Sequence, residues 1–465
     1  MTEPDLVVHF GRAAAAAEFD DLSPAAADAA KKSILDTLGV ILAATGTEPA
    51  VRGVLDLVQE TGGRSEATVL ADPGRRPAAA AAFANGALAH CLDFDDQTPW
   101  GQHCASSVVP AVLALAERAT GVDGRDLVTA VAVGQDLFAR LRRHVGWRKD
   151  WNLSSVLAVY AATAAGARAL RLPAETTVRA LGIASLRSAG VMEMVTGTGS
   201  DLRGMYAGFS AEGAVVSVLL AERGIGGISR LFEGGNGVFA AYFGGRYDRE
   251  AMLAGLGTEF RGADTLYKAW PSVGTSHSHI QAVVDLVSAH DLAPEDIAAI
   301  RIHVGDYHSV MCTPLDARRA PATLADAKFS LPYLVAVAAV RRTVAIADFS
   351  PRALRDDRVR RVADIVEPVP DSSLDWVTEL PPGRVTIITR DGRRLEATGD
   401  RVPGSPEHPL TWEQLIAKFT DCAAAAVSPP SAPDVERAVA AVRGLESVAD
   451  TAHLLRPLAA GVAGA

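Results

Sequence analysis

Between His90 and Ser107 the chain reads HCLDFDDQTPWGQHCASS, its densest run of groups able to do chemistry. His90, Asp93, Asp95, Asp96, Gln97, Thr98, His103 and Cys104 lie close together there between two apolar stretches. An imidazole titrates near neutrality, so His103 in a polar loop suits a general acid or base, and a nearby carboxylate such as Asp93 suits the orienting of a histidine or lysine. The plain alternative is that the carboxylates cap a helix N-terminus and pair with arginine.

Sharper readings of this segment fail on its own residues. Asp93-Phe94-Asp95-Asp96 has the D-x-D-D form with which class II terpene cyclases protonate an alkene, but no partner motif accompanies it and aromatic content is only 6%. A D-D-x-x-D magnesium motif counted from Asp95 ends on Pro99, which is no carboxylate. His103 and Cys104 are neighbours in sequence, and neighbours seldom point at one another as a thiolate–imidazole pair must.

A second cluster, YKAWPSVGTSHSHIQAVVDL, begins at Tyr267 and sets Lys268, Ser272, Ser276, His277 and His279 before a helix at Ile280. Serine and histidine around a helix N-terminus suit an anionic group. His277-Ser278-His279 lacks the companions of a zinc site at ligand spacing, so no metal is expected. The glycine-rich pieces GIGGIS and GGNGVF do not satisfy G-x-G-x-x-G and follow no strand pattern, and G-x-S-x-G is absent, so no dinucleotide cofactor and no hydrolase elbow are expected.

The elements that must position these groups change texture along the chain. Up to about residue 265 the pattern is helical and alanine-rich; Ile34, Leu35, Leu38, Ile41 and Leu42 show the three-to-four spacing, and Ser23 with Pro24 signals a helix start. Small side chains let helices approach closely in several layers. After 265, Ile300, Ile302 and Val304 alternate with Arg301 and His303, a strand signal, and Val385 and Ile387 lead into Asp391-Gly392, read as a type I′ hairpin turn. Helices are expected over 328–341 and 354–366, the latter with an Asp356/Arg360 pair. Thr411 and Gln414 form a capping-box pattern, and a last helix is expected over 433–442. The expected fold is mainly α: a large all-α domain built from both chain ends, 1–265 and 403–465, with an α+β lid domain inserted over 266–402. Ligand sites favour the cleft between such units.

Composition bounds the function. The 465 residues carry 45 Lys+Arg against 55 Asp+Glu, a net charge of −10, with 49% hydrophobic and 22% charged residues. That excludes a disordered, collagenous or coiled-coil chain and speaks against nucleic-acid binding. Four cysteines without C-x-x-C spacing suggest neither a disulfide framework nor zinc, and charge-free runs stop near a dozen residues. A cytoplasmic protein without membrane or nucleic-acid partners is the expectation.

Taken together and in order, several blocks resemble the MmgE/PrpD family, which includes 2-methylcitrate dehydratase, cis-aconitate decarboxylase and iminodisuccinate epimerase. They are NGALAHCLDFDD from Asn85, SSVVPAVLALAE from Ser106, AGFSAEGAVVSVLLAERGIGG from Ala207, LFEGGNGVFAAYFGG from Leu231, the Lys268-x-x-Pro271 turn with His277 after it, and AKFSLPYLVAVA from Ala327. The resemblance implies a helical domain with a lid, usually a homodimer, and a site between them needing no cofactor. It implies Asp93 as the loop aspartate, His103 as the catalytic histidine, Lys268 as the lid lysine and Tyr307 as a substrate contact. This chain departs from the decarboxylase-like pattern at Gln97, where threonine is usual and Thr98 follows one place later; at Asn152, for a histidine; at Arg203, for a lysine; and at Val273, for a cysteine or histidine.

These departures remove proton carriers, while Arg203 keeps a fixed charge and adds a bidentate fork. The expected enzyme is a cofactor-independent lyase, dehydratase-like, abstracting a proton next to a carboxylate or carbonyl of a small molecule with fewer carboxylates than a tricarboxylate. His103, Lys268, Asp93 and Tyr307 are the expected catalytic residues; Gln97, Thr98, Asn152, Arg203, Ser272 and His277 are expected to bind substrate. An epimerase, isomerase or cyclase would use the same proton chemistry without a leaving group, and a non-catalytic binding protein is the remaining alternative.

Overall fold

In the computed structural model, which describes residues 3–459 apart from 71, 73 and 378, two hydrophobic cores form. The larger gathers helices from both chain ends: its members run from Leu6 to Tyr267 and resume from Leu410 to Leu458. The smaller, save for Val195, is drawn from Trp270 to Ile387.

The signals at helix starts act as expected. Ser23 caps the Pro24–Thr47 helix by accepting from Ala26 N–H, and Thr411 with Gln414 forms a reciprocal capping box on the Trp412–Ala424 helix. That last helix supports the acidic loop from behind: Lys418 Nζ donates to the carbonyl of Phe94 at 2.7 Å and lies 2.7 Å from the buried Asp36 carboxylate. No single helix among the described residues is long and apolar enough to cross a membrane.

Glycine sets one helix crossing that matters to the site. The Ala78–His90 helix packs on the Tyr206–Glu222 helix, where a Cβ on Gly86 would stand 2.8 Å from Gly208 Cα and one on Gly208 2.5 Å from Phe83 O. Such contact distances admit only hydrogen, so the two backbones nearly touch. The close approach brings His90, the last residue of one helix, against Tyr206, the first of the other, with ring centroids 4.3 Å apart.

A four-stranded sheet in the smaller unit runs Val366–Pro370, Ile297–Val304, Gly383–Thr389, Arg394–Gly399; the first pair is parallel and the others antiparallel. Ile300 faces Val366, and Ile302 faces Val385, so the alternating apolar residues share one core face, against which the His277–Ala289 helix packs. Three local expectations are corrected. The hairpin turn is not type I′, since only Gly392 takes positive φ; the Thr389 hydroxyl accepts from Arg393 N–H and closes the turn instead. The second helix is shorter than expected, Asp357–Asp364, because Val366 joins the sheet. Asp356 caps that helix and pairs with Arg341, not Arg360. The expected 328–341 helix begins at Leu331, with Ser330 as its cap, and ends at Arg341; the expected 433–442 helix spans Ala432–Arg443.

Candidate active site

The acidic loop leaves the Ala78–His90 helix and enters the Ala105–Ala119 helix. Its first bend sits at Asp93, which takes φ +50°, a left-handed conformation that aspartate tolerates better than most residues. Gly101 and Gln102 also take positive φ, and Thr98 N–H donates to Gln102 O, closing the second bend. Gln97 and Leu266 exchange backbone hydrogen bonds at 3.0 and 2.8 Å. That bridge fastens the loop two residues before Lys268 and explains how groups far apart in sequence converge.

Lys268 Nζ donates to Asp93 Oδ1 at 2.6 Å and to the Asp93 carbonyl at 2.7 Å. Arg203 Nη1 lies 2.8 Å from Asp93 Oδ2, its guanidinium stacked 3.8 Å from the Phe329 ring. Burial pushes the Asp93 carboxyl up, but Lys268, Arg203, His103 and His90 together outweigh it and hold the group well below its usual range. Asp93 is therefore a permanent anion, buried between two cations.

Asp95, fully buried, lies between two imidazoles. His90 Nδ1 is 3.0 Å from both of its oxygens, and His103 Nδ1 is 3.2 Å from Oδ2. Burial again acts upward on this carboxyl and the histidines reverse it, keeping Asp95 ionised. His103 Nδ1 is also 2.7 Å from the carbonyl of Asp96, an acceptor only, so this nitrogen carries the proton. His103 Nε2 then holds the lone pair, 3.7 Å from Asp93 Oδ1, on a ring that lines the cavity. Burial lowers the His103 pKa, with Asp95 opposing, so the ring is neutral and basic at neutral pH.

Asp96 points the other way. It accepts from Ser33 Oγ at 2.8 Å and from Ala105 N–H at 3.2 Å, at the start of the next helix. Burial, then Asp95 and Asp36, push its carboxyl up to about 7.

The cavity over His103 is lined by expected residues Gln97, Asn152, Arg203 and Tyr307, and by Val273. Asn152 also caps the Leu153–Ala169 helix, accepting from Ser155 N–H at 3.3 Å. Tyr307 packs edge-on to Trp376 at 4.7 Å, and burial raises its phenol to about 12, so it meets a ligand as a protonated hydroxyl. Asp93 and Lys268, paired with each other, adjoin His103 but do not line this cavity. Thr98 turns its hydroxyl to Gly101 O and Ser272 pairs with Ser276 at 3.1 Å; neither lines this cavity. His277 lines a neighbouring one with Lys268.

Several lining or supporting groups escaped the residue-by-residue reading. His90 and Asp95 were visible in the cluster, yet their pairing depends on how the chain turns after the helix. Ser154 accepts from His103 N–H at 3.1 Å and hydrogen-bonds Tyr206, whose phenol burial and Asp95 raise strongly. No spacing in the sequence announces Ser154 or Tyr206.

His90, Asp95 and His103 could between them offer three ligand atoms to a metal ion. His103 Nδ1 could do so only by giving up the proton it donates to Asp96 O, so the geometry fits a hydrogen-bonded relay better than a ligand set.

A carboxylate-held imidazole, opening on a cavity with a fixed cation, within two cores of which the larger is built mainly from helices, marks an enzyme of mainly α fold. The chain belongs to the MmgE/PrpD family: the family's N-terminal domain matches residues 8–250 and its C-terminal domain residues 270–443. It is 26% identical over 400 residues to a cis-aconitate decarboxylase-like protein, oryM, of Aspergillus oryzae, covering 81% of each chain. It is 25% identical to a cis-aconitate decarboxylase of Aspergillus terreus, covering 82% of this chain and 81% of that one. A cis-aconitate decarboxylase of Mus musculus is 26% identical over 92% of this chain and 88% of its own.

Proposed function

We propose that this protein is a lyase whose central step is proton transfer at a carbon next to a carboxylate or carbonyl, on a substrate with fewer carboxylates than a tricarboxylate. The observation that carries this reading is the fixed tautomer of His103. With Nδ1 held by Asp96 O and Asp95, Nε2 is the one basic atom of a ring that lines the cavity. As Nε2 takes a proton, the imidazolium that forms is stabilised by Asp95 on one side and Asp93 on the other. Arg203 supplies the fixed charge that holds a carboxylate or steadies enolate-like charge, and the Tyr307 hydroxyl can donate to the same oxygen or to a leaving group. The names of the relatives support a lyase. The cavity surroundings support the smaller charge of the substrate, since Asn152 and Val273 carry none and Arg203 is already paired with Asp93.

The reading is tested by ¹H NMR in D₂O with hydroxy-, unsaturated and imino-acids, cis-aconitate and 2-methylcitrate. Loss of carbon dioxide with a solvent deuteron replacing it, or loss of water with the abstracted proton passing to solvent, is expected, and His103→Ala should lose roughly 10²- to 10⁴-fold in turnover. Full turnover by a folded His103→Ala variant would overturn the assignment. Deuterium exchange without any change of substrate mass would favour an isomerase on the same machinery.

A further inference from the structure

The cavity over His103, about 50 Å³, shares a wall with a larger one of about 360 Å³. Gln97, Gly274 and Leu380 line both. The Gln97 carboxamide lies on Gly274 so closely that a Cβ there would stand 1.9 Å from its Oε1. Gln97 is only 5% exposed, and its side chain borders both cavities. A carboxamide carries both donors and an acceptor, so at that border it can hydrogen-bond a group passing between the cavities. Glycine at 274 and glutamine at 97 together form a thin, movable partition.

Behind the partition the second cavity has unsatisfied groups. His277 Nε2 and Ser278 Oγ are buried without partners, on residues 3% and 7% exposed. The one cation there, Lys268, is occupied by Asp93, while Glu379, Asp400 and Glu407 put three carboxylates at the mouth. Pro99, Pro381, Pro382, Pro403 and Pro406 supply apolar wall. Hydrogen-bonding groups, apolar surface and a negative rim suit an uncharged group and oppose a second carboxylate. The first cavity is lined by Arg203, whose guanidinium has N–H groups beyond the Nη1 that meets Asp93, and is the one suited to a carboxylate.

Resting on the lyase reading above, we propose that the substrate is a monocarboxylate whose uncharged, hydrogen-bonding tail passes Gln97 into the second cavity, where His277 and Ser278 receive it. Gln97 is then a specificity-determining residue, moved aside by the tail.

The test is binding, followed by the fluorescence of Trp147 and Trp376, which line the first cavity. Maleate, cis-aconitate and the mono(4-hydroxybutyl) ester of maleic acid serve as probes. The ester should bind at least about tenfold more tightly than either polyacid. His277→Phe, which fills the second cavity, should abolish that preference and leave maleate unchanged; Ser278→Val serves the same purpose if the first variant does not fold. In stopped flow, Gln97→Ala should speed association of the ester by about tenfold but not that of maleate. Equal or tighter binding of the polyacids, or an ester preference indifferent to residues 277 and 278, would overturn the proposal. An ester preference without turnover of any acid in D₂O would leave this inference standing and fell the lyase reading; turnover of a polyacid with no ester preference would do the reverse.

Discussion

His90 Nδ1 lies 3.0 Å from each oxygen of Asp95, the carboxylate that His103 Nδ1 also approaches at 3.2 Å. The two rings approach to 4.6 Å between centroids, so the three groups form one buried unit. His90 acts on His103 through Asp95: by fixing the carboxylate it fixes the ring that the carboxylate orients. Asparagine can offer an N–H near the Nδ1 position and phenylalanine cannot. His90→Asn should therefore keep more turnover than His90→Phe, which should lose about 10- to 100-fold, less than removal of the base itself. The loss should fall on kcat with KM little changed, and the acid limb of the pH profile should move in His90→Phe alone; unchanged kcat in both variants would remove His90 from the relay.

How far the sequence carried this site depends on which contacts are local. The start signals at Ser23 and Thr411 are short-range physics, and both caps form. The alternation around Ile300 likewise needs only period two, and the strand is there. His103 could be singled out because residue type and family pattern agree, and Arg203 because it departs from that pattern while keeping a fixed charge. What could not be read was distance between segments. The exchange of hydrogen bonds between Gln97 and Leu266, which brings Lys268 to Asp93, is a backbone event with no side-chain signature. The Gly86–Gly208 crossing that seats His90 on Tyr206 depends on two glycines far apart in the chain, each unremarkable alone. The Asp391-Gly392 turn failed for a similar reason: the Thr389 hydroxyl, outside the dipeptide, decides its geometry.

The pH dependence of the reaction follows from the direction of the His103 shift. Burial lowers its pKa below the usual imidazole value of about 6.5, and only the neutral form is a base. The logarithm of kcat/KM should rise with slope one at acid pH, bend at a midpoint below about 6.5 and stay level through neutrality. A midpoint above 7 would mean that the proton acceptor in the free enzyme is another group.

Asp96 makes the opposite contribution, to stability. Its folded carboxyl, near 7, stands above the ordinary value of about 3.9, so the native state binds a proton that the unfolded chain has released across this window. Its contribution is full below the ordinary carboxylate range and is lost as pH rises through about 7. Asp96→Asn stays neutral throughout, and its amide can point at Ser33 while its carbonyl keeps the Ala105 N–H. Chemical denaturation of both proteins from pH 5 to 8 should show the wild type losing ground to Asp96→Asn by about 1.4 kcal/mol per pH unit below 7 and levelling above it. A difference independent of pH would show that Asp96 is already ionised across the range.

Lys268 and Asp93 allow the structural and chemical parts of the site to be separated. Lys268 is 2% exposed and Asp93 3%, and they meet at 2.6 Å, so removing the lysine leaves a buried carboxylate with Arg203 as its remaining close cation. Breaking a buried pair on one side typically costs about 3–5 kcal/mol, whereas replacing both partners by uncharged groups is often near neutral. Lys268→Met should therefore destabilise by about that amount. The double variant Asp93→Asn, Lys268→Met should recover most of the stability, since asparagine also tolerates the left-handed backbone at 93. Turnover should not recover with it: the anion that faces His103 Nε2 at 3.7 Å is gone, and the imidazolium formed on proton transfer loses one of its two carboxylates. Denaturation midpoints and single-turnover rates on the wild type and both variants check both halves. If the double variant regained activity along with stability, the pair would serve only to hold the loop, and Asp95 alone would sustain His103.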